Sequence, residues 1–392
     1  MKLGPIDYRT RILADLSGMD PQTWDALVRA STGGALPAFL RHAWLDALTA
    51  THCVGRGTGW LPRHLCLFDG ERLVAAAPLY VKSHSWGEYV FDWAWAEAYE
   101  RHGLHYYPKL LCAVPFTPVS GPRLLAADPQ AKAALARAML EQAQASGMSS
   151  LHVLFPGPAD AHALEAAGMM IRRGVQFHWR NDGYRSFDDF LATLSQPKRK
   201  KIRAERRKVA QAGVALRRLS GREIGEAHWD FFARCYETTY AEHGSTPYLT
   251  RAFFGRVGAS MPENLLMVLA ERDGRPIAAS LLVRDADRLY GRYWGALEHV
   301  PCLHFEAAYY QAIEAAIELG LAVIEGGAQG EHKMARGFLP EATCSAHWLA
   351  EPAFADAVDR FLAREGSMID GYLNELEERT PFRRQSSDAN PR

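Results

Sequence analysis

Apolar and polar positions along this chain recur in two rhythms, and the order in which they recur predicts the fold. The stretch His64-Leu-Cys-Leu-Phe-Asp69-Gly70-Glu-Arg-Leu-Val-Ala-Ala is an apolar run, an Asp-Gly pair and a second apolar run. Val268-Leu-Ala-Glu-Arg-Asp273-Gly274-Arg-Pro-Ile-Ala-Ala-Ser repeats the pattern later in the chain. Each predicts a tight β-hairpin with Asp and Gly as the two central residues, because such turns need φ > 0 at both. Each is followed by a helical stretch, a glycine stop and a strand: 131–146, Gly147 and 151–155 in the first half, then 304–319, Gly320 and 321–325 in the second. Gly168 stands ten and eleven residues before His178-Trp179, and Gly337 stands the same distances before His347-Trp348. Three features recurring in one order mark a duplicated unit.

The copies differ in length. Asp69 to Gly168 is 99 residues and Asp273 to Gly337 is 64, which places an insertion at about 82–130 of the first copy. That stretch carries many aromatic residues, and Pro108, Pro115, Pro118 and Pro122 predict edge strand or loop rather than helix. Hairpin, strand and helix in this order predict an α/β chain with mixed, α+β-type sheets and helices on their faces. The expected units are 21–180 and 184–350, with a boundary at Asn181-Asp182-Gly183. The apolar spacing over 354–376 predicts an amphipathic helix at about 353–380.

Specific stretches resemble the Fem-type peptidoglycan aminoacyltransferases, which are two GNAT-like units in tandem. They are the basic segment from Ser195-Gln-Pro-Lys to Gly213-Val214, the run from Tyr309-Tyr-Gln to Gly320, Glu325-Gly-Gly, Lys333, Gly337-Phe338, and Pro118-Val-Ser-Gly-Pro122-Arg. Pro115-Phe-Thr-Pro-Val and Gly327-Ala-Gln-Gly-Glu-His-Lys333 are similar to the Fem-like branch described as peptidoglycan biosynthesis or recognition. The resemblance spans about 36–383. It implies two GNAT-like units and acyl or aminoacyl transfer to the amine of a peptide-like or cell-wall-precursor acceptor. The implied donors are acyl-CoA or aminoacyl-tRNA, taken as substrates, with no tightly bound cofactor. Arg292-Tyr-Trp-Gly295-Ala-Leu297 approaches an acetyl-CoA signature but ends in Leu. A non-catalytic recognition module of the same fold, and an RNA-binding protein, are the other readings.

Composition narrows these choices. Lys+Arg and Asp+Glu are both 45 among 392 residues, so DNA binding by a broadly basic surface is not expected. The longest nearly apolar run, 73–81, is too short to cross a membrane, and the six scattered cysteines without a CxxC pair suggest a cytoplasmic protein. Cys302-x-His304 and Cys344-x-x-His347 lack paired ligand spacing, so no metal site is expected.

Acyl transfer to an amine needs a proton acceptor, a stabilised oxyanion and alignment. The glycine-rich loop 326–333 follows a strand directly, where ligands of such sheets gather. It offers Glu331 or His332 as the acceptor and Gln329 and Lys333 as binding groups. His304 and Glu306 open the preceding helix and join the catalytic candidates, with Arg292 as a binding candidate. In the insertion, Asp92, Trp93, Tyr106 and Lys109 suit an amine or sugar, and the expected site lies where the two units meet. The run 198–208, led by Lys198, Arg199, Lys201 and Arg203, suits phosphate or another polyanion, tRNA included. The repeated His-Trp pairs are expected to be structural.

Overall fold

The computed structural model describes residues 8–327 and 330–383, apart from the side chains of Glu331 and Glu377. The chain gathers into two compact units, each built from separated stretches. The first takes the chain up to Gly174, Pro247–Pro262 and Ala342–Ile369; the second takes Val175–Thr246, Glu263–Glu341 and the chain from Asp370. Residues 181–183 lie inside the second unit.

The first unit contains β1 (Arg9–Leu13), β2 (Trp60–Pro62), β3 (His64–Asp69), β4 (Arg72–Ala77), β5 (Leu79–Lys82), β6 (Lys109–Cys112), β7 (Leu125–Ala126) and β8 (Ser150–Leu154). β1, β3, β4 and β7 form one antiparallel sheet. β2, β5 and β6 are antiparallel neighbours in another, where β6 runs parallel to β8. The apolar run 73–81 therefore serves two sheets, and it changes sheet at Pro78, which has no N–H for a ladder. The hairpin expected at Asp69-Gly70 is present but sits one residue further on. Asp69 pairs with Arg72, so Gly70 and Glu71 are central, and of these only Gly70 has positive φ, 61°.

Helix Pro129–Ala145 begins where Asp128 accepts a hydrogen bond from the Ala131 N–H at 2.8 Å, and Gly147 (φ 61°) follows its end. Its Ala131, Leu135 and Met139 recur every four residues and pack with Leu65, Leu67, Leu151 and Val153. The insertion corrects the expectation of edge strand or loop. Trp93–Arg101 is a helix that turns Trp95 and Tyr99 inward, and β6 lies between β5 and β8. The four prolines all come after that helix and outside β6, so none opposes either element.

The second unit contains the end of β9 (Met170–Arg180), then β10 (Val214–Ser220), β11 (Leu265–Arg272), β12 (Arg275–Arg284), β13 (Arg288–Ala296) and β14 (Val323–Glu325). Their order is β10-β11-β12-β13-β14-β9, and only β13 and β14 pair in parallel. Here Arg272 pairs with Arg275, and Asp273 (φ 52°) and Gly274 (φ 72°) form the expected turn. Ala312, Ile313, Ala316 and Ile317 of helix Gln311–Glu318 pack with Val268, Leu282, Leu289, Ile324 and Trp179. Gly295 of β13 has a packing reason: a Cβ there would lie 2.0 Å from the Cys235 carbonyl oxygen, on helix Glu226–Glu242.

β15 (Leu339–Leu349) starts in the second unit and finishes in the first, where Ser345–Leu349 pairs with β8. Helix Pro352–Glu378 follows and buries Val358 and Leu362 with Trp95 and Tyr99. Among the described residues no helix is long and apolar enough to cross a membrane.

Candidate active site

Each unit concentrates titratable groups in one place. In the first, Asp92, Tyr106 and Lys109 come together as the sequence suggested, but they are sealed. Lys82 and Lys109 are buried, as are Glu88 and Asp92, so two ammonium groups face two carboxylates. The Lys109 ammonium donates to Glu88 at 2.9 Å, to Ser85 Oγ at 2.8 Å and to Asp92. Tyr106 donates to Asp92 at 2.7 Å and lies 3.0 Å from His152 Nε2. His152 and His347 face one another across the β8–β15 ladder with Nδ1 atoms 2.7 Å apart, and Ser150 and Ser345 hold their Nε2 atoms. Burial drives both imidazoles well below the usual histidine range, His152 to about 3. Burial raises Asp92, yet the adjacent Lys109 outweighs it and the carboxyl stays ionised. Trp93 is half-buried beside Trp86, with ring centroids 5.2 Å apart.

In the second unit the geometry opens. β13 and β14 pair only from Arg288/Val323 to Tyr290/Glu325, and β13 then runs on beside β12 alone. Leu282 pairs with Gly291 and Leu281 with Tyr293, so Arg292 is the extra residue of a bulge at the point of divergence. The chain after β14 is Gly326-Gly327, and Gly327 has φ 83°. Ala328 and Gln329 lie outside the described residues, as does the Glu331 side chain.

Facing this opening is the start of the long helix. It begins at Cys302 (φ 71°), makes one α turn over Leu303–Phe305 and widens to a π turn over Glu306–Tyr310 before Gln311–Glu318. Such turns recur at functional sites because one extra residue re-aims side chains. His304 is half-buried among Trp294, Phe305 and Tyr309, with ring centroids 5.4, 5.6 and 5.4 Å away. Burial, then the charges near it, bring its imidazole down to about 4, so it is neutral at pH 7. His332 is exposed, and its Nε2 lies 3.4 Å from the Tyr309 hydroxyl. Its own partial burial, Lys333 and Arg336 lower it as well. Gly330 (φ 117°) permits this placement, since a Cβ there would meet the His332 ring at 2.4 Å.

Lys333 is buried, donates to the Gly327 carbonyl at 3.1 Å and is lowered by burial to about 8. Glu306 is buried and fully engaged: Arg206 grips both its oxygens at 3.1 Å, and Gln311 donates at 2.9 Å. Arg336 was not anticipated from sequence. It binds the His332 carbonyl at 2.9 Å and both Glu205 oxygens, with its guanidinium 3.5 Å from the centre of the Phe305 ring. Glu205 was visible as the one acid in a basic run. The missed signal was that it shares a helical face with Ile202 and Val209. Glu325 was missed too. It is buried with Oε1 on Arg288 at 2.9 Å and Oε2 3.9 Å from His178 Nε2 without a hydrogen-bond partner among the described residues, and burial lifts it to about 7 against the pull of Arg288.

A family model described as peptidoglycan biosynthesis/recognition, FemAB-like, matches residues 15–384. The chain belongs to the FemAB-like family. Among solved structures it is similar to FemX, at 13% identity and TM-score 0.55, over 87% of this chain and 98% of that one. It is also similar to L-PGS from Bacillus licheniformis, at 11% identity and TM-score 0.51, over 88% and 97%. A tandem GNAT protein from the clavulanic acid biosynthesis pathway matches at 13% identity and TM-score 0.48, over 88% and 99%. The family match and the likeness to FemX and L-PGS show the fold, an α/β chain with mixed sheets of the Fem-like, GNAT-like kind. No curated protein matches the chain in sequence.

Within this FemAB-like chain, Lys198, Arg199, Lys201 and Arg203 lie on helix Gln196–Gln211. Lys198 and Arg199 are half-buried, whereas Lys201 and Arg203 are exposed, with Arg203 3.0 Å from Asp188. Among the described residues no group of three or more His, Cys, Asp or Glu side chains is placed to hold a metal.

Proposed function

We propose that the second unit carries out acyl or aminoacyl transfer to an amine of a peptide-like, cell-wall-precursor acceptor. The observation that carries this reading is the wall of His304, Tyr309 and His332 beside the divergence of β13 and β14. His304 has no hydrogen-bond partner among the described residues, and at neutral pH its imidazole is uncharged and able to accept a proton. The donor, an acyl-CoA thioester or aminoacyl-tRNA ester, lies along the edge of β13 that β14 leaves. The acceptor amine attacks the donor carbonyl carbon while a histidine takes its proton. The C–S or C–O bond then breaks, and the proton passes to the leaving thiol or hydroxyl. Arg292 and Lys333 bind the polar groups around that carbonyl, with Gln329 and Glu331 on the same loop. Lys198, Arg199, Lys201 and Arg203 meet the donor's phosphates, and Glu306 fixes the helix through Arg206.

The test is mass-spectrometric detection of transfer from each donor class to a precursor peptide bearing a free lysine amine. The double variant H304A/H332A is expected to reduce turnover by about 10²–10³. Undiminished transfer by that variant would eliminate this site. Acceptor binding without transfer by the unaltered protein would favour a recognition module.

A further inference from the structure

Residues around helices Phe187–Thr193, Gln196–Gln211 and Gln311–Glu318 of the second unit line a cavity of about 340 Å³ that shares only Arg203 with the groups proposed to act in transfer by direct contact. It is lined by Ser186, Phe187, Asp188 and Leu191, by Arg203, Arg206 and Arg207, and by Glu314. Its charges are not all matched. Arg203 faces Asp188 at 3.0 Å, and Arg206 faces Glu314 at 2.6 Å. Arg207 has no acidic partner among the described residues. Counting Glu306, which Arg206 also grips, three guanidinium groups meet three carboxylates, and the acids pair with Arg203 and Arg206 but not with Arg207. Two of the lining residues are apolar: Leu191, which is buried, and Phe187, whose ring lies under the Arg206 guanidinium at 4.7 Å. A volume in this range holds a small organic molecule, and a guanidinium fork suits a carboxylate or phosphate.

We propose that this cavity binds a small molecule with one anionic head and a flat apolar body, the head on Arg207 and the body between Phe187 and Leu191. Its occupancy reaches the candidate active site through a short path. Arg206 lines the cavity with one face and grips Glu306 of the π turn with its fork, while Gln311 bridges Glu306 and Glu314 at 2.9 and 3.0 Å. A ligand that stiffens Arg206 therefore stiffens the turn that presents His304.

Calorimetric titration of the full chain with phenyl phosphate, benzoate and inorganic phosphate tests this directly. One aryl anion per chain is expected, with inorganic phosphate at least tenfold weaker. The R207E substitution, on an exposed side chain, is expected to weaken the aryl ligands at least tenfold. F187A should weaken phenyl phosphate but not phosphate, with thermal unfolding confirming that it folds. Phenyl phosphate and benzoate in parallel distinguish the two head groups. Unchanged affinity in R207E overturns the site, and so does displacement of phenyl phosphate by a short single-stranded RNA, which would make it part of a polyanion track. Amide hydrogen exchange over 303–310 should slow severalfold on binding; an unchanged rate with ligand bound removes the path to Glu306.

Discussion

Two histidine clusters among the described residues use burial in opposite ways. His152 and His347 in the first unit have their ring nitrogens engaged by each other, by two serines and by Tyr106. Trp95 covers the pair, 4.9 Å from the His347 ring. Such imidazoles can only hold strands together. In the second unit His304 sits in an aromatic wall with no hydrogen-bond partner on its ring among the described residues, and His332 has one long contact. The residue types and the neutral state are the same in both places. What differs is whether a nitrogen is left for something else, and that is the better guide to chemistry than a perturbed pKa.

The contrast can be challenged by experiments in descending order of expected effect. K109A leaves Asp92 and Glu88 buried against Lys82 alone and should cost about 3–5 kcal/mol in denaturant unfolding. A loss below about 1 kcal/mol would show that water reaches the first cluster.

The next test is acid. His152 binds a proton more weakly folded than unfolded, so its contribution is present above the unfolded value near 6.5 and is lost as pH falls toward about 3. His64 and His178, each brought to about 4 by burial, add to the same window. H152Q is therefore expected to flatten the stability curve between pH 6.5 and 4 by up to about 3 kcal/mol. A curve parallel to that of the unaltered protein would contradict the assignment.

G330A places a side chain at φ 117° and against the His332 ring, so it should cost about 1–3 kcal/mol and displace that imidazole. The histidine chemical shifts in NMR read that displacement. Smallest of all, H332A alone should change stability by less than about 0.5 kcal/mol, since the ring is exposed. A larger loss would make the second cluster as structural as the first.

Turn chemistry makes much of the fold legible in the sequence alone. Gly147, Gly213, Gly274 and Gly320 follow a helix or sit in a hairpin, all with positive φ, because each local signal needs only its neighbours. Side-chain partners were harder. Arg206 with Glu306 and Arg336 with Glu205 are each at least 100 residues apart in sequence, and nothing local names one from the other. The helix at Trp93–Arg101 was hidden because the prolines after it coloured the whole insertion. Gly295 stands in a segment that approaches an acetyl-CoA signature, whereas the Cys235 carbonyl explains it. Which strand completes which sheet was also unreadable, because the two copies share one alternating pattern and either could accept the other's last strand.

That exchange of last strands bears on how the protein is made. β8 waits for Ser345–Leu349, which leaves the ribosome about 190 residues later, or about 10–40 s at ordinary elongation rates. Until then Ser150–Leu154, wholly buried in the finished molecule, presents a bare apolar edge to the cell. A fragment ending near 183 would keep that edge permanently, and should recover as aggregate unless the missing segment is supplied as a separate peptide.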